Sequence, residues 1–421
     1  MNQNRRWLND YEFESIDIIT EKKTQSLIGQ VQAVRYEEQA GKTLKVTILF
    51  ADTSGFVASM PIRSGDRVRL KIKHGSVSDE PFEFSEKRKN ELIIAEIAGD
   101  SGDTKRELFS IVCITRSTLN NHTTRVIKRY KGKITDSVQK IFKEVLDVDS
   151  SRVNIPHPAM NEYTFTGNFQ VPLKQISRLA AKCMGESDGG NSAEKGSCGY
   201  ILSEGERKGY QFFSVDKQIK EKEEFTYTQQ SYKSASELNN FSVVSQPVVA
   251  TSHDIVKKLM VGQYKSANWY YNIVDHTPHF VEYSYKNSKL PSANEDQYVP
   301  NGIDDKYSRI FLNVLDLGAM TEKKAELRSS AESVAWRQAH ATARLQSLFS
   351  QTLEVTIPMN LSLRVGSILK FEFPRLNKKS KGVNPQSGNY MVAKIAHVFG
   401  DPQGDYTGLS LVRDSFAFYS E

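Results

Sequence analysis

The sequence predicts an α+β, β-rich protein: two similar antiparallel β-barrels, a helix-containing middle domain, and an inserted stretch of loop and long helix. Three observations carry this. Period-two alternation of apolar and polar residues dominates both ends of the chain, helical periodicity appears between them, and placing Gly65 on Gly366, an offset of 301 residues, aligns two strand-bearing stretches.

From the start to about Leu119, strands are expected over Phe13 to Ile19, Ile28 to Tyr36, Leu44 to Phe50, Val68 to Ile72, Glu91 to Ile97 and Leu108 to Thr115. Leu44, Val46, Ile48 and Phe50 share one face, and Val68, Leu70 and Ile72 oppose Arg67, Arg69, Lys71 and Lys73, so these strands bury one side and wet the other. From Lys133, the apolar residues Ile134, Val138, Ile141, Phe142, Val145 and Leu146 recur at helical spacing, with Thr135 expected as the N-cap. A second helix follows Pro172, with Leu173, Ile176, Leu179 and Ala180 on one stripe. It runs into the Gly- and Ser-rich stretch 185–199, an expected surface loop, after which strands return at Gly199 to Ser203 and Tyr210 to Val215.

Lys286 to Asp305 is rich in Pro, Ser, Asn, Asp and Gly and reads as an exposed excursion. The longest helix is expected from about Thr321 to Phe349, burying Val334, Ala341, Leu345 and Leu348, and strands resume at Leu353, Val355 and Ile357. The repeat aligns Ile62, Val68, Leu70 and Ile72 with Leu363, Leu369, Phe371 and Phe373, around glycines suited to a turn that requires positive φ. Domains are therefore expected at 1–125 (first barrel), 126–215 (α/β middle), 216–285 with 340–421 (second barrel) and 286–339 (insertion).

Composition narrows function by exclusion. Three cysteines, Cys113, Cys183 and Cys198, build neither a disulfide framework nor a four-thiolate zinc site, and Cys113 lies in an apolar run as a buried small side chain. A net charge of +6 over 421 residues is a mild excess, unlike the dense basic patch of a nucleic-acid binder. No apolar stretch approaches the roughly 20 residues of a spanning helix, and the first ten residues lack a signal-peptide core, so synthesis in a cytoplasm is expected. Phosphate-binding glycine loops and the Gly-x-Ser-x-Gly nucleophile element are absent. His276 and His279 flank Pro278 and read as a turn between strands rather than metal ligands. The acid pairs Asp147/Asp149 and Asp304/Asp305 read as solvated carboxylates where a helix ends or a loop turns, not as a general acid and base. Arg125 to Lys133 reads as a polar-faced strand leading into the helix, and Asn377 to Gly382 as a solvated loop. No catalytic, metal or cofactor site is expected, and no partner-interface residue is assigned.

The order of these elements resembles the baseplate central hub proteins of contractile-tailed bacteriophages, adapters between tail tube and spike, and the hub part of type VI secretion spike proteins. The resemblance rests on Ser117-Thr-Leu followed by Arg125 to Phe142, on Phe169 to Ala180 with Gly209 to Asp216, and on Ser387 to His397 with Leu409 to Ser415. It spans about Leu44 to Ser415, and the excursion at 286–305 matches nothing in it. It implies two tail-tube-like barrels per chain and a homotrimer that presents pseudo-sixfold symmetry to a hexameric tube or tube-initiator protein and threefold symmetry to a separate trimeric spike. It also implies contacts with other baseplate proteins, a channel passing DNA without sequence-specific binding, no stable membrane insertion, and a place in the virion tail after assembly in the host cytoplasm. Two alternatives are a tail-associated peptidoglycan hydrolase, for which no span is spare, and a receptor- or carbohydrate-binding tail protein, whose aromatics would cluster in loops rather than in strands.

Overall fold

The computed structural model describes residues 11–74, 81–103, 106–186, 197–229, 241–242, 248–252, 254–273, 276–288, 293–294, 302–303, 306–315, 337–374, 384, 386–400 and 405–415. Asp304, Asp305, Asn377 to Gly382, residues 187–196 of the expected loop and 321–336 of the expected long helix lie outside them.

The first β unit comprises β1 (Tyr11–Ile19), β2 (Thr24–Ser26), β3 (Val31–Gln39), β4 (Lys45–Asp52), β5 (Arg67–His74), β6 (Phe82–Phe84), β7 (Leu92–Asp103) and β8 (Arg106–Thr115), with α1 (Phe56–Ser59) after β4. The order β3-β4-β8-β7-β5-β1 is antiparallel throughout. Alternation decides which side faces in: Val34, Tyr36, Val46, Ile48, Phe50, Val68, Leu70, Ile72, Ile111 and Cys113 form one core. On the wet side Arg69 pairs with Asp17 at 2.6 Å and Lys71 with Glu14 at 2.8 Å.

The middle domain holds α2 (Arg116–Thr123), β9 (Arg129–Tyr130), α3 (Ile134–Glu144), β10 (Val153–Asn154), β11 (Phe165–Thr166), α4 (Pro172–Ala180), the hairpin β12 (Tyr200–Gly205) and β13 (Gly209–Ser214), and α5 (Val215–Gln218). Ile134, Val138, Ile141 and Phe142 of α3 pack with Ile176 and Leu179 of α4 and with Tyr200, Tyr210 and Phe212 of the hairpin. Thr135 is not the N-cap. Lys133 caps α3 with a non-helical backbone, bridging to Glu162, and Thr135 falls in the first turn, where it is buried. The basic run reaches α3 through β9, as its polar-faced reading expects.

The second unit contains β14 (Phe225–Thr228), β15 (Phe241–Ser242) and β16 (Val248–Ser252), is interrupted, and resumes with β20 to β23. The interruption holds α6 (Ile255–Met260), β17 (Lys265–Asn272), β18 (Pro278–Ser284), α7 (Tyr285–Ser288), β19 (Arg309–Leu315) and α8 (residues 337–348). The returning strands are β20 (Gln351–Pro358), β21 (Ile368–Glu372), β22 (Gly388–Phe399) and β23 (Tyr406–Arg413). Two expectations for this unit need correcting. Residues 265–284, expected in the second barrel, form a separate three-stranded sheet β18-β17-β19, because β19 supplies a parallel partner to β17 from Ser266 to Asn272. And β14 runs parallel to β21, whereas its counterpart β1 runs antiparallel to β5. The separate sheet packs Tyr283 on Ala339 and Ala343 of α8, and its other face leaves Trp269, Phe280, Ile310 and Leu312 exposed. The excursion at 286–305 is not wholly exposed either: Ala293 and Asn294 are half-buried, and their backbone N–H groups donate to Asp414 and Ser415.

The internal repeat extends to individual hydrogen bonds. Gly65 donates to the Ile94 carbonyl at 2.8 Å and Gly366 to that of Val392 at 2.9 Å, while Ile94 and Val392 donate back to Asp66 and Ser367, both at 2.9 Å. One residue further along, the β7–β8 pairing shifts register between Ile94 and Glu96, and the β22–β23 pairing shifts between Val392 and Lys394. The units do not stay apart. β22 pairs with β3 from Lys394↔Gln39 to Phe399↔Val34, joining them in one 15-stranded sheet whose pairings, among the described residues, follow an open path.

Both repeat glycines need positive φ, 100° at Gly65 and 93° at Gly366, but their surroundings differ. A Cβ at Gly65 meets nothing within 4 Å, and one at Gly366 lies 2.8 Å from the Phe213 ring. Gly65→Ala is expected to lower stability by about 1–2 kcal/mol through backbone strain alone. Gly366→Ala adds roughly 1–3 kcal/mol of overpacking to a similar strain. Urea denaturation of both variants checks the ranking, and equal losses refute it.

Candidate functional site: the buried junction of the three units

Tyr36 and His397 face each other across the β3–β22 pairing, their rings stacked with centroids 5.6 Å apart. Phe82 meets Tyr36 edge-on at 4.9 Å, and the His397 imidazole Nδ1 lies 2.9 Å from Thr407 Oγ1. Burial drives the His397 pKa down to about 3, so the imidazole is neutral in the folded chain.

Three carboxylates surround this contact. Tyr36 Oη donates to Glu38 Oε2 at 3.0 Å and accepts from the Glu206 backbone N–H at 3.1 Å. Glu38 Oε1 accepts from the Val365 N–H at 3.0 Å, immediately before the repeat glycine of the second unit. Glu204 reaches the first unit, accepting from the Leu44 N–H at 3.1 Å and from Thr115 Oγ1 at 2.6 Å. Glu206 accepts from the Glu83 N–H at 3.1 Å and from Arg88 at 3.3 Å. Arg152 closes the cluster by donating to the carbonyls of Gly205 and Glu206. Gly205 leaves room for this approach: a Cβ there would sit 2.9 Å from a Glu38 carboxylate oxygen and push that side chain off its partners. Two β12–β13 carboxylates thus hold the first unit, and one β3 carboxylate holds the second. Burial raises all three pKa values, that of Glu38 to about 7.

A second buried knot ties the insertion to the second unit. Arg344 of α8, with no exposed surface, donates to Asp216 of α5 and, at 2.7 Å, to Asp414 just beyond β23. Burial alone would raise the Asp216 pKa; the Arg344 guanidinium and the His340 contact outweigh it and hold that pKa at about 2. Cys198, Asp216 and His340 each bring a potential ligand atom within 4.8 Å of the others. Asp216 is at the same time engaged by the Arg344 guanidinium, so these three residues belong to the buried ion-pair network.

None of Glu38, Glu204 and Glu206 was singled out in the sequence; only the glycine between two acids in Glu204-Gly205-Glu206 hints at a tight approach. Of the residues that were weighed, Asp149 is not merely solvated: it caps Ser151 and pairs with Lys89, whose ammonium holds its pKa low. His276 and His279 sit at the β17–β18 connection, bonded to Tyr271 and Thr277 respectively. All three cysteines are buried thiols, and burial pushes the Cys113 pKa up to about 12.

No protein-family model and no curated protein matches this chain. Solved structures do. The tail protein from Neisseria meningitidis MC58 is similar over 96% of this chain and 97% of its own, with TM-score 0.56 and 10% identity. The 43 kDa tail protein of prophage MuSo2 from Shewanella oneidensis is similar over 96% and 99%, with TM-score 0.54 and 10% identity. A type VI secretion component from E. coli, described as resembling T4 tail proteins gp27 and gp5, aligns more loosely over 98% and 79%, with TM-score 0.43 and 8% identity. The fold is therefore that of phage tail proteins, as the hub resemblance implied.

Glu38 has a testable pH signature. Its folded pKa of about 7 lies above the ordinary value of 4.5, so between those values the native state holds a proton that the unfolded chain releases, and this group's contribution to stability falls as pH rises. His397 works oppositely: its folded pKa of about 3 lies below 6.5, so its contribution is lost as pH falls through that range. Glu38→Gln removes the first term alone. Relative to the parent chain, the variant is expected to gain up to about 3 kcal/mol between roughly pH 5 and pH 8. Chemical denaturation at several pH values reads this, and a difference independent of pH refutes it.

Proposed function

We propose that this protein is a baseplate hub: a homotrimer whose paired β units form a pseudo-hexameric ring joining a hexameric tail tube, or its initiator, to a trimeric spike around a channel for DNA. The observation that carries this reading is that one chain holds two units with the same glycine turn, the same bulge and the same closing strands, fused edge to edge. A protein with two near-equivalent units per chain reconciles sixfold with threefold symmetry when three copies close a ring. The end-to-end likeness to phage tail proteins supports it.

In this reading the tube-like units are 1–125 and those parts of 216–285 and 340–421 that enter the shared sheet. Residues 126–215 form the clamp between them, and the sheet β18-β17-β19 with α8 belongs to the insertion. DNA passes without sequence-specific contacts, in keeping with the modest net charge of +6. The role is mechanical, with no catalytic centre, metal or cofactor. The protein acts in the virion tail, next to other baseplate proteins, after assembly in the host cytoplasm. No helix among the described residues is long and apolar enough to cross a membrane.

Light scattering on the purified chain, alone and mixed with its spike, is expected to give three hubs per spike trimer, and negative-stain images a three-lobed ring. Any other stoichiometry overturns the adapter reading. Peptidoglycan zymography is expected to stay blank, and a clearing zone abolished by changing one Asp or Glu overturns the non-catalytic reading.

A further inference from the structure

The sheet β18-β17-β19 is covered on one side only. Its inner side carries Ser266, Asn268 and Tyr270, all buried, and packs through Tyr283 on Ala339 and Ala343 of α8. The cross-strand register gives the outer side two apolar rows, Phe280 with Trp269 and Leu312, then Pro278 with Tyr271 and Val314, and Ile310 continues the stripe along β19. Trp269, Tyr271 and Phe280 are 41–42% exposed, Ile310 and Val314 64%, and Leu312 80%, so nothing among the described residues covers them. Together these six side chains leave roughly 600 Å² of largely apolar surface in water, as much as the largest patch on a typical monomer.

The chemistry of this face selects its occupant. Among the described residues its charged groups are Lys265 and Glu282, which pair at 3.3 Å at one end. There the Tyr307 hydroxyl also donates to Glu282, and the Lys265 ammonium sits 5.0 Å from the centre of the Tyr307 ring. The face therefore carries no net charge. A different protein is ordinarily picked out by complementary charge, and an anionic lipid surface by clustered cations; this face offers neither signal. Two identical neutral faces meet without like-charge repulsion, and an apolar centre depleted of charge is the composition of contacts between copies of one chain. The area agrees, because a stable pair takes about 800 Å² from each partner and these six side chains with their rim come close to it. The sheet is already backed by α8, so docking needs no rearrangement of the plate.

We infer that the outer face of β18-β17-β19 packs against the same face of a second copy, the two sheets stacking as in a β-sandwich. Sheets stacked this way lie about 10 Å apart with their side chains interdigitated, and here α8 of each copy closes the sandwich from outside. The contact is isologous, with the same residues on both sides, so it doubles whatever it joins and extends no further. The inference goes beyond the ring reading and does not rest on it, since either two single chains or two rings meeting face to face are joined through it.

The test is light scattering on the full-length chain across a concentration series. For a contact of this size a dissociation constant of roughly 1–100 μM is expected. Above that range the parent chain is expected to scatter with twice the mass of Leu312→Glu, and on dilution below it to fall to the same mass. Val314→Lys, at a second exposed position on the face, is expected to repeat the loss. Ile28→Glu, which changes an exposed apolar side chain of the first unit, is expected to leave the doubling intact. Circular dichroism checks that the variants fold. Whether the halved particle holds one chain or three reads the ring separately, and either number supports the pairing of faces. Equal masses for the parent and both face variants at every concentration overturn it, as does doubling that survives both variants or is lost with Ile28→Glu. Sedimentation with phosphatidylglycerol vesicles identifies the other occupants. An undoubled parent that binds them through Leu312 gives the face to a lipid surface, an undoubled parent that does not bind leaves it to a different protein, and both outcomes overturn the second copy.

Discussion

The pairing of β3 with β22 is the contact on which the rest of the chain depends. It takes a strand near the start and a strand near the end and makes them neighbours, so the intervening residues form an enormous loop whose closure entropy must be offset at this seam. Backbone hydrogen bonds alone yield little net stability in exchange for water. The seam gains its strength from what is stacked on it: Tyr36 on His397, Phe82 at their edge, and Phe399 against Tyr11 and Phe13. Because these rings are buried, each polar atom they bring must find a partner, and the hydroxyl of Tyr36 finds two.

That requirement explains the unusual concentration of acid in the interior. A buried carboxylate is costly unless its oxygens accept several hydrogen bonds. Glu38, Glu204 and Glu206 each do so from backbone N–H groups of a different segment, which makes them connectors between strands that share no backbone pairing. The Arg344 knot works by a different rule. There two aspartates share one guanidinium, and each buried carboxylate is paired with a cationic donor where water cannot reach it. Replacing such a network with apolar residues is often neutral, while breaking it is strongly destabilising, so its value lies in fixing one arrangement of α8 against α5 and β23.

Much of the fold was legible in the sequence, and the reason is local. A strand with one wet face writes itself as alternation, which is why Arg67 to Lys73 could be assigned face by face, and a turn needing positive φ selects glycine, which exposed the repeat. The α3 and α4 stripes were legible for the same reason, though the cap of α3 was displaced by a bridge to Glu162 that sequence spacing cannot reveal. What could not be read was set by residues far apart. β17 and β18 alternate well enough for either sheet, and their membership is decided by β19, a strand about forty residues further on. The junction itself was invisible because acids are normally found in water, and Glu38 meets Val365 only after the whole chain has folded back.

The first strands of the two units, β1 and β14, occupy corresponding places beside β5 and β21 but run in opposite senses. In an assembly of identical single-unit chains such a difference could never arise, because every substitution is copied to all positions at once. Two units on one polypeptide mutate independently. One can keep its original edge while the other has a reversed strand and a long insertion, and the glycine that has open space around it in one unit is wedged against Phe213 in the other. Two units on one chain are therefore freed from the constraint that exact symmetry places on sequence change, while the shared seam keeps both halves in step.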